Sequence, residues 1–257
     1  MSNAAAVFVM LDDVDRRYED AYIEWQSRVV LPALERESWA RRVLTCRAVD
    51  ELPGAIAKGE FYPRFLTLVV IDSLAAPADG ELDRMASLGQ SPGTHPMLRR
   101  SYIEFNIGQR TGGFLAESHP RTIFFIGQKV FRAKESEYNY WFDVDDESNR
   151  GTSRLPTSHY RERLSYPGFI RGTRMKLREL MEGDDDDQCL VPNYITLYEV
   201  TAPWALQTPE YTNAPQNRKS AGGGGMFRLL FRHTYLELPH RRTTSAGTPS
   251  DGSHQIQ

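Results

Sequence analysis

The chain has 257 residues, of which 40% are hydrophobic and 11% aromatic, enough apolar material to bury one large core or two small ones. Its 31 Lys and Arg residues nearly balance 34 Asp and Glu for a net charge of -3, and no long basic cluster occurs, which excludes the electrostatic footprint of a nucleic-acid partner. Two distant cysteines, Cys46 and Cys189, with no nearby His give neither a disulfide framework nor metal-ligand spacing.

The first residues lack a basic start, a long apolar run and a small-residue cleavage site, and no later window is long and apolar enough to span a bilayer. The expectation is a soluble, cytoplasmic protein without a membrane partner. Residues 7–11 form a β-prone apolar run, and Asp12-Asp13 behind it supply turn and capping chemistry, which predicts a first strand. From residue 16 to about 36, Tyr18, Ala21, Tyr22, Trp25, Val29, Leu31 and Leu34 recur at three- and four-residue steps, one face of a helix that Pro32 should kink or break. Residues 42–49 read as a strand and 50–63 as a loop. The nearly continuous apolar run over 64–71 reads as a strand buried on both faces. A short helix over 81–88, a turn-rich link over 89–96 and an alternating strand over 100–109 complete a β-α-β-β-α-β order, the split ferredoxin-like unit.

The order then recurs. Residues 122–126 open a strand, 135–142 a helix, and 170–177 and 194–200 two further strands. Near 203–211 Pro203 and Pro209 limit a weak helix to a turn or two, before a last strand over 227–238. Pro63-Arg64-Phe65-Leu66-Thr67-Leu68 matches Pro192-Asn193-Tyr194-Ile195-Thr196-Leu197, and Ala21-Tyr22-Ile23-Glu24-Trp25 matches Glu137-Tyr138-Asn139-Tyr140-Trp141, two pairs in the same order. The fold class expected is therefore α+β, with ferredoxin-like repeats at 1–118 and 119–240 and a disordered tail at 241–257. Two such four-stranded sheets can pack their uncovered faces together and curl into a barrel whose interior holds a small ligand. The acidic run at 182–187 reads as a solvated, mobile hairpin loop and the Gly run at 222–225 as a flexible link.

Tyr138-Asn139-Tyr140-Trp141-Phe142, then His159, then Pro167-Gly168-Phe169 resemble the motif of the EthD-like proteins within the dimeric α/β barrel superfamily. There an aromatic-Asn-x-Trp-aromatic stretch on the first helix precedes a His and a Pro-Gly-Phe that leads into the second strand. Here residues 143–158 form an acidic, polar insertion between the Trp and the His. In the first half Trp25 and Trp39 stand at the corresponding aromatic places, but Val29 or Val30 stands where the His is expected. The resemblance implies a single-chain pseudo-dimer with its chemistry on the second half.

His159 is the sharpest catalytic candidate, because imidazole titrates near neutrality and moves protons without a cofactor. On the last strand Phe227, Leu229, Phe231, His233 and Tyr235 share one face by alternation. Facing the barrel, His233 and Tyr235 would be a proton-transfer pair; the Phe and Leu residues beside them suit helix packing, which is the expectation. On the fourth strand Tyr102 and Glu104 point to the barrel interior or solvent, and a carboxylate inside an apolar barrel would titrate high enough to act as acid or base. Lys129 and Arg174 could hold an oxyanion, and Trp141, Tyr198 and Tyr102 could line an aromatic pocket; His95 and His119, beside prolines, read as structural.

The function expected is that of a cofactor-independent lyase or cyclase. It would act on a small aromatic or polyketide-like molecule, with His159 as base, Glu104 or Tyr235 returning the proton, and Lys129 or Arg174 stabilising the oxyanion. The alternatives are a cofactor-free monooxygenase, a haem-dependent relative with His159 or His233 as axial ligand, and a non-catalytic binding or stress-response protein. The expected partner is a small hydrophobic molecule, with no bound metal and outer faces that leave homodimer formation open.

Overall fold

Strand β1 (Ala6–Val14) alternates its side chains between two buried surfaces, Val7, Val9 and Leu11 on one and Ala6, Phe8 and Met10 on the other. The computed structural model describes residues 6–49, 63–71, 78–87, 89–104, 122–143, 159–213 and 225–239, and both surfaces are explained by the barrel they build. β2 (Ala40–Ala48), β3 (Phe65–Ile71), β4 (Thr94–Glu104), β5 (Thr122–Val130), β6 (Phe169–Leu177), β7 (Tyr194–Val200) and β8 (Phe227–Glu237) join β1 in a closed antiparallel barrel of order β1-β3-β2-β8-β5-β7-β6-β4. β4-β1-β3-β2 form one arc and β8-β5-β7-β6 the other, each with the order of a ferredoxin-like sheet.

Two short seams close the barrel. β2 meets β8 through Cys46↔Glu237, Arg47↔Leu236 and Ala48↔Tyr235, and β4 meets β6 through Tyr102↔Leu177, Ile103↔Lys176 and Glu104↔Met175. Beside the second seam the buried Asp79 carboxylate accepts the Ser101 N–H with both oxygens, at 3.1 and 3.0 Å, so that backbone donor is satisfied.

Inside, apolar side chains from all eight strands fill the lumen, among them Val9, Leu44, Leu68, Tyr102, Phe125 and Tyr235. This corrects the expectation of a ligand within the barrel. Strands buried on both faces carry apolar residues at nearly every position, so β3 reads as a continuous run, while β7 is buried along its whole length with Thr196 and Glu199 included. Two further clusters lie outside the barrel under the helices. α1 (Glu19–Trp25), α2 (Leu31–Glu35) and α3 (Asp79–Ala86) cover the first arc, while α4 (Glu135–Asp143), α5 (His159–Leu164) and α6 (Pro209–Thr212) cover the second.

Pro32 neither breaks nor ends the first helix. One turn of π-helix, Gln26–Val30, precedes it, and the Leu31 N–H reaches the Gln26 carbonyl. Widening the turn accommodates the ring and the missing donor, and the chain stays helical to Glu35. The acidic run is solvated only in part. Asp184 is buried, accepts from Arg100 of β4 at 3.2 and 3.1 Å and from the Met181 N–H at 2.8 Å, and so anchors the β6–β7 loop to the other arc. Asp185, Asp186 and Asp187 remain exposed. The repeat boundary at 118/119, residues 144–158, residues 222–224 of the Gly run and the tail lie outside the described residues. No described helix is long and apolar enough to cross a membrane.

Candidate functional site

In the space between the second arc and its helices, aromatic side chains dominate. On α4, Tyr138, Trp141 and Phe142 are buried, as three- and four-residue spacing dictates. The Tyr138 hydroxyl donates to Gln128 Oε1 on β5 at 2.6 Å. α5 opens with His159 and Tyr160. The imidazole lies on the Trp141 indole, ring centres 4.2 Å apart and planes 18° from parallel, and the Phe142 ring meets it edge-on at 5.4 Å. Tyr160 stacks on Tyr198 of β7 at 6.3 Å and donates its hydroxyl to the Gly172 carbonyl. Gly172 makes this possible, since a Cβ there would lie 2.8 to 2.9 Å from the Tyr198 and Tyr160 rings. At the turn from α5 into β6, Gly168 adopts φ +86, and a Cβ would stand 2.6 Å from that of Ala205.

Arginines enter this aromatic layer from two strands and a helix. Arg174 of β6 has its guanidinium 4.7 Å from the Tyr138 ring centre, 4.4 Å from Phe142 and 4.6 Å from Tyr194. It donates to the Asp143 carboxylate and to Asn139 Oδ1, and its side chain is fully buried. Arg163 of α5 stands over Tyr211 at 4.8 Å, and Arg232 of β8 lies 5.7 Å from that ring and donates to its hydroxyl.

These surroundings set the charge states. Burial first, and then the Arg163, Arg174 and Arg232 cations, hold His159 well below its ordinary value, so it is uncharged at neutral pH. Burial pushes Asp143 up to about 6 against the pull of Arg174. The Tyr198 phenol is raised well above its usual value by burial. His159 Nδ1, Tyr198 Oη and Thr196 Oγ1 of β7 are buried here without a hydrogen-bond partner.

The sequence candidates divide between two layers. His159, Trp141, Arg174 and Tyr198 come together in the space just described. Lys129, Tyr102, His233 and Tyr235 belong to the barrel. Lys129 is buried and gives its ammonium to the Asp184 carbonyl, and the Tyr102 hydroxyl donates to the Pro192 carbonyl at 2.9 Å. Glu104 ends β4, and its side chain lies outside the described residues.

A bulge explains the difference for β8. Gly127 pairs with Phe231 but Gln128 with Leu229, which leaves Leu230 over and reverses the faces. Phe227 therefore lies under the helices while Phe231 and Tyr235 fill the lumen, so the five residues do not share one face. The helix-facing expectation for Tyr235 is corrected. Its hydroxyl donates to the Pro63 carbonyl at 3.1 Å, and its ring centre is 6.2 Å from that of His233, which burial holds down at about 4.

Asp143, Arg163, Arg232, Tyr138 and Tyr160 were not among the sequence candidates. Asp143 reads as the first residue of a polar insertion, and the sequence reading gives Arg163 and Arg232 no role; the His159/Arg163 spacing of four on one helix face was the available signal. In the first arc the matching place holds a hydrogen-bonded polar network. Tyr22 donates to Asp12 Oδ2 at 2.6 Å, Gln26 donates to Tyr22 Oη at 2.8 Å, and Arg99 donates to Asp12. No group of His, Cys, Asp and Glu suited to hold a metal ion by itself occurs among the described residues.

No protein-family model and no curated protein matches the sequence. Solved structures share the fold. The encapsulated DyP-type peroxidase of Mycobacterium smegmatis matches with a TM-score of 0.56 at 11% identity, over 91% of this chain and 92% of that one. Chlorite dismutase of Candidatus Nitrospira defluvii, in complex with imidazole, matches with a TM-score of 0.54 at 10% identity, over 93% of each chain. The architecture is thus that of the dimeric α/β barrels, the fold that these two proteins share.

Proposed function

We propose that this chain is a haem-dependent oxidative enzyme whose reaction centre is the aromatic layer around His159. The observation that carries the reading is the state of that imidazole: buried, uncharged, and with Nδ1 unsatisfied. A general base ends its step protonated, and burial with three nearby arginines penalises the imidazolium, which counts against the lyase mechanism expected from the sequence. The same surroundings suit a neutral imidazole that offers its in-plane lone pair to a metal.

Haem fits this donor set. Trp141 covers a face of the imidazole and leaves the ring plane for ligation. The aromatic rings suit a flat apolar group, and Arg163, Arg174 and Arg232 suit its carboxylates. When bound, haem supplies redox chemistry toward a peroxide or related oxidant. His159 would hold the iron, Trp141 fixes the imidazole orientation, and Asp143, near 6, takes or returns a proton beside Arg174. His233 would be the poorer residue to hold the iron because it sits in the filled lumen beside Phe125.

His159 is only 6% exposed and Nδ1 has no contact with solvent, so loading has to part α5 from its neighbours. Haemin titrated into the protein should give a Soret band slowly and with steep temperature dependence, and His159→Ala should abolish it. A protein that develops no Soret band at any temperature would sink this reading. The acid-base alternative would then rest on Asp143, whose carboxyl stands near neutrality.

The two arcs are part of the same proposal, as copies of one unit fused into a pseudo-dimer with repeats at 1–118 and 119–240. Phe8, Glu19, Tyr22 and Trp25 recur, 116 positions later, as Phe124, Glu135, Tyr138 and Trp141, and at the same offset Gln128 stands in the place of Asp12. In both arcs the helix tyrosine donates to the first-strand residue at the matching place, each at 2.6 Å.

A further inference from the structure

We propose that Trp141, Tyr138 and Tyr194 form a one-electron relay from the His159 layer to the protein surface, with Glu135 as the proton acceptor of the last step. The proposal rests on the oxidative reading above and concerns side chains only. The rings are in sequence: His159 on Trp141 at 4.2 Å, Trp141 beside Tyr138 at 5.9 Å, Tyr138 beside Tyr194 at 5.4 Å. The Tyr194 hydroxyl donates to Glu135 Oε1 at 2.6 Å, and the same oxygen accepts from the Lys176 ammonium at 2.7 Å. Tyr194 is buried, but the Glu135 and Lys176 side chains are 32% and 40% exposed, so the ladder reaches solvent there.

Indole and phenol are the side chains that part with one electron most readily, and a phenol does so easily when its proton leaves as well. Tyr138 is poorly placed for that step, because its hydroxyl donates to the neutral Gln128 amide and Arg174 lies 4.7 Å over its ring. It can pass an electron but is a poor place to leave the radical. Tyr194 also carries the Arg174 cation, at 4.6 Å, which disfavours a charged ring. Its hydroxyl faces a carboxylate, so it can end as a neutral radical.

The step balances as follows. A one-electron oxidant derived from peroxide takes an electron from Trp141. Tyr194 returns an electron to Trp141 through Tyr138, and its O–H bond breaks with the proton passing to Glu135. An electron-rich phenol or aniline at the Glu135–Lys176 surface then gives one electron to the Tyr194 radical, and Glu135 returns the proton.

The first arc is an internal contrast. Tyr22 and Trp25 stand 5.4 Å apart, against 5.9 Å for their counterparts, but Phe65 occupies the place of Tyr194, and Glu19 is held by Arg47 at 2.5 Å and Arg64 at 2.9 Å. A phenol on the carboxylate occurs in the second arc, where His159 is. The Phe at position 65 also indicates that Tyr194→Phe will fold.

The test uses no haem, so its outcome is separate from that of the haemin titration. Azide radicals made by pulse radiolysis oxidise tryptophan, and in a background with Trp25, Trp39 and Trp204 changed to Phe the first radical forms on Trp141. Its absorbance should decay as a phenoxyl radical rises, in one first-order process independent of protein concentration and slower in D2O. Tyr194→Phe should cut the phenoxyl yield about tenfold, and Glu135→Gln should slow the conversion about tenfold with loss of the deuterium effect. Phenoxyl formation with unchanged yield and rate in Tyr194→Phe overturns the relay.

Discussion

Arg174→Met is expected to lower the stability of the protein by about 3 to 5 kcal/mol at neutral pH, measured by urea unfolding. The guanidinium has no exposure and holds Asp143 and Asn139 while three rings lie against it. Without it the Asp143 carboxyl stays buried with no cation. Burial already pushes that group up to about 6 with Arg174 present, so in the variant it must hold a proton or move into water. The double variant Arg174→Met with Asp143→Leu should recover most of the loss, since an apolar pair carries no desolvation cost. Arg174→Lys should not recover it, because an ammonium cannot fork between a carboxylate and an amide while lying flat on rings. A single-variant cost below about 1 kcal/mol would mean that the pair is as solvated as a surface ion pair.

That a buried Arg–Asp pair lies at the centre of the site was not legible in the sequence, and the reason is physical. In strands buried on both faces, composition does not say which side is barrel and which is helix layer. β5 shows this: Phe125 goes to the lumen and Phe124 to the aromatic layer, though the two are neighbours of the same type. The doubled order of strands and helices was legible, because the period of the apolar residues reports each element directly. Tyr194–Val200 was placed to the residue, whereas the first helix ran through Pro32 by a local π turn that no residue pattern announces.

The candidate site was legible in its aromatics and its histidine, which the motif resemblance supplied, and not in its charges. Asp143 ends α4 at the border of an acidic stretch, where a carboxylate is ordinarily solvated. Arg232 alternates with apolar residues on β8, and the bulge at Leu230 decides how faces are counted along that strand. Lys129 and Arg174 looked alike as strand cations, yet one clamps a loop carbonyl and the other lies among rings. The distinction comes from the far side of each strand's partner, which is long-range information.

The dependence of stability on pH separates the two layers. Burial holds His233 in the lumen at about 4, whereas the unfolded chain protonates it near 6.5. Between those values the unfolded state binds more protons, so the stability contributed by the neutral imidazole is present above about 6.5 and lost as pH falls toward 4. The shift corresponds to about 3 kcal/mol. His159, also held low, acts in the same direction. Asp143 acts oppositely: with its folded value raised to about 6, its contribution is present in acid and lost as pH rises through that value. The wild-type curve sums these slopes, so between about pH 4 and 6 Asp143 offsets roughly one of the two histidine contributions. His233→Phe, which places an apolar ring beside Phe125 and Tyr235, should gain about 3 kcal/mol relative to wild type between pH 7 and pH 4. Asp143→Asn should show the steeper acid loss that the aspartate conceals. Parallel curves for wild type and His233→Phe over that range would mean that water reaches the lumen and that His233 is solvated there.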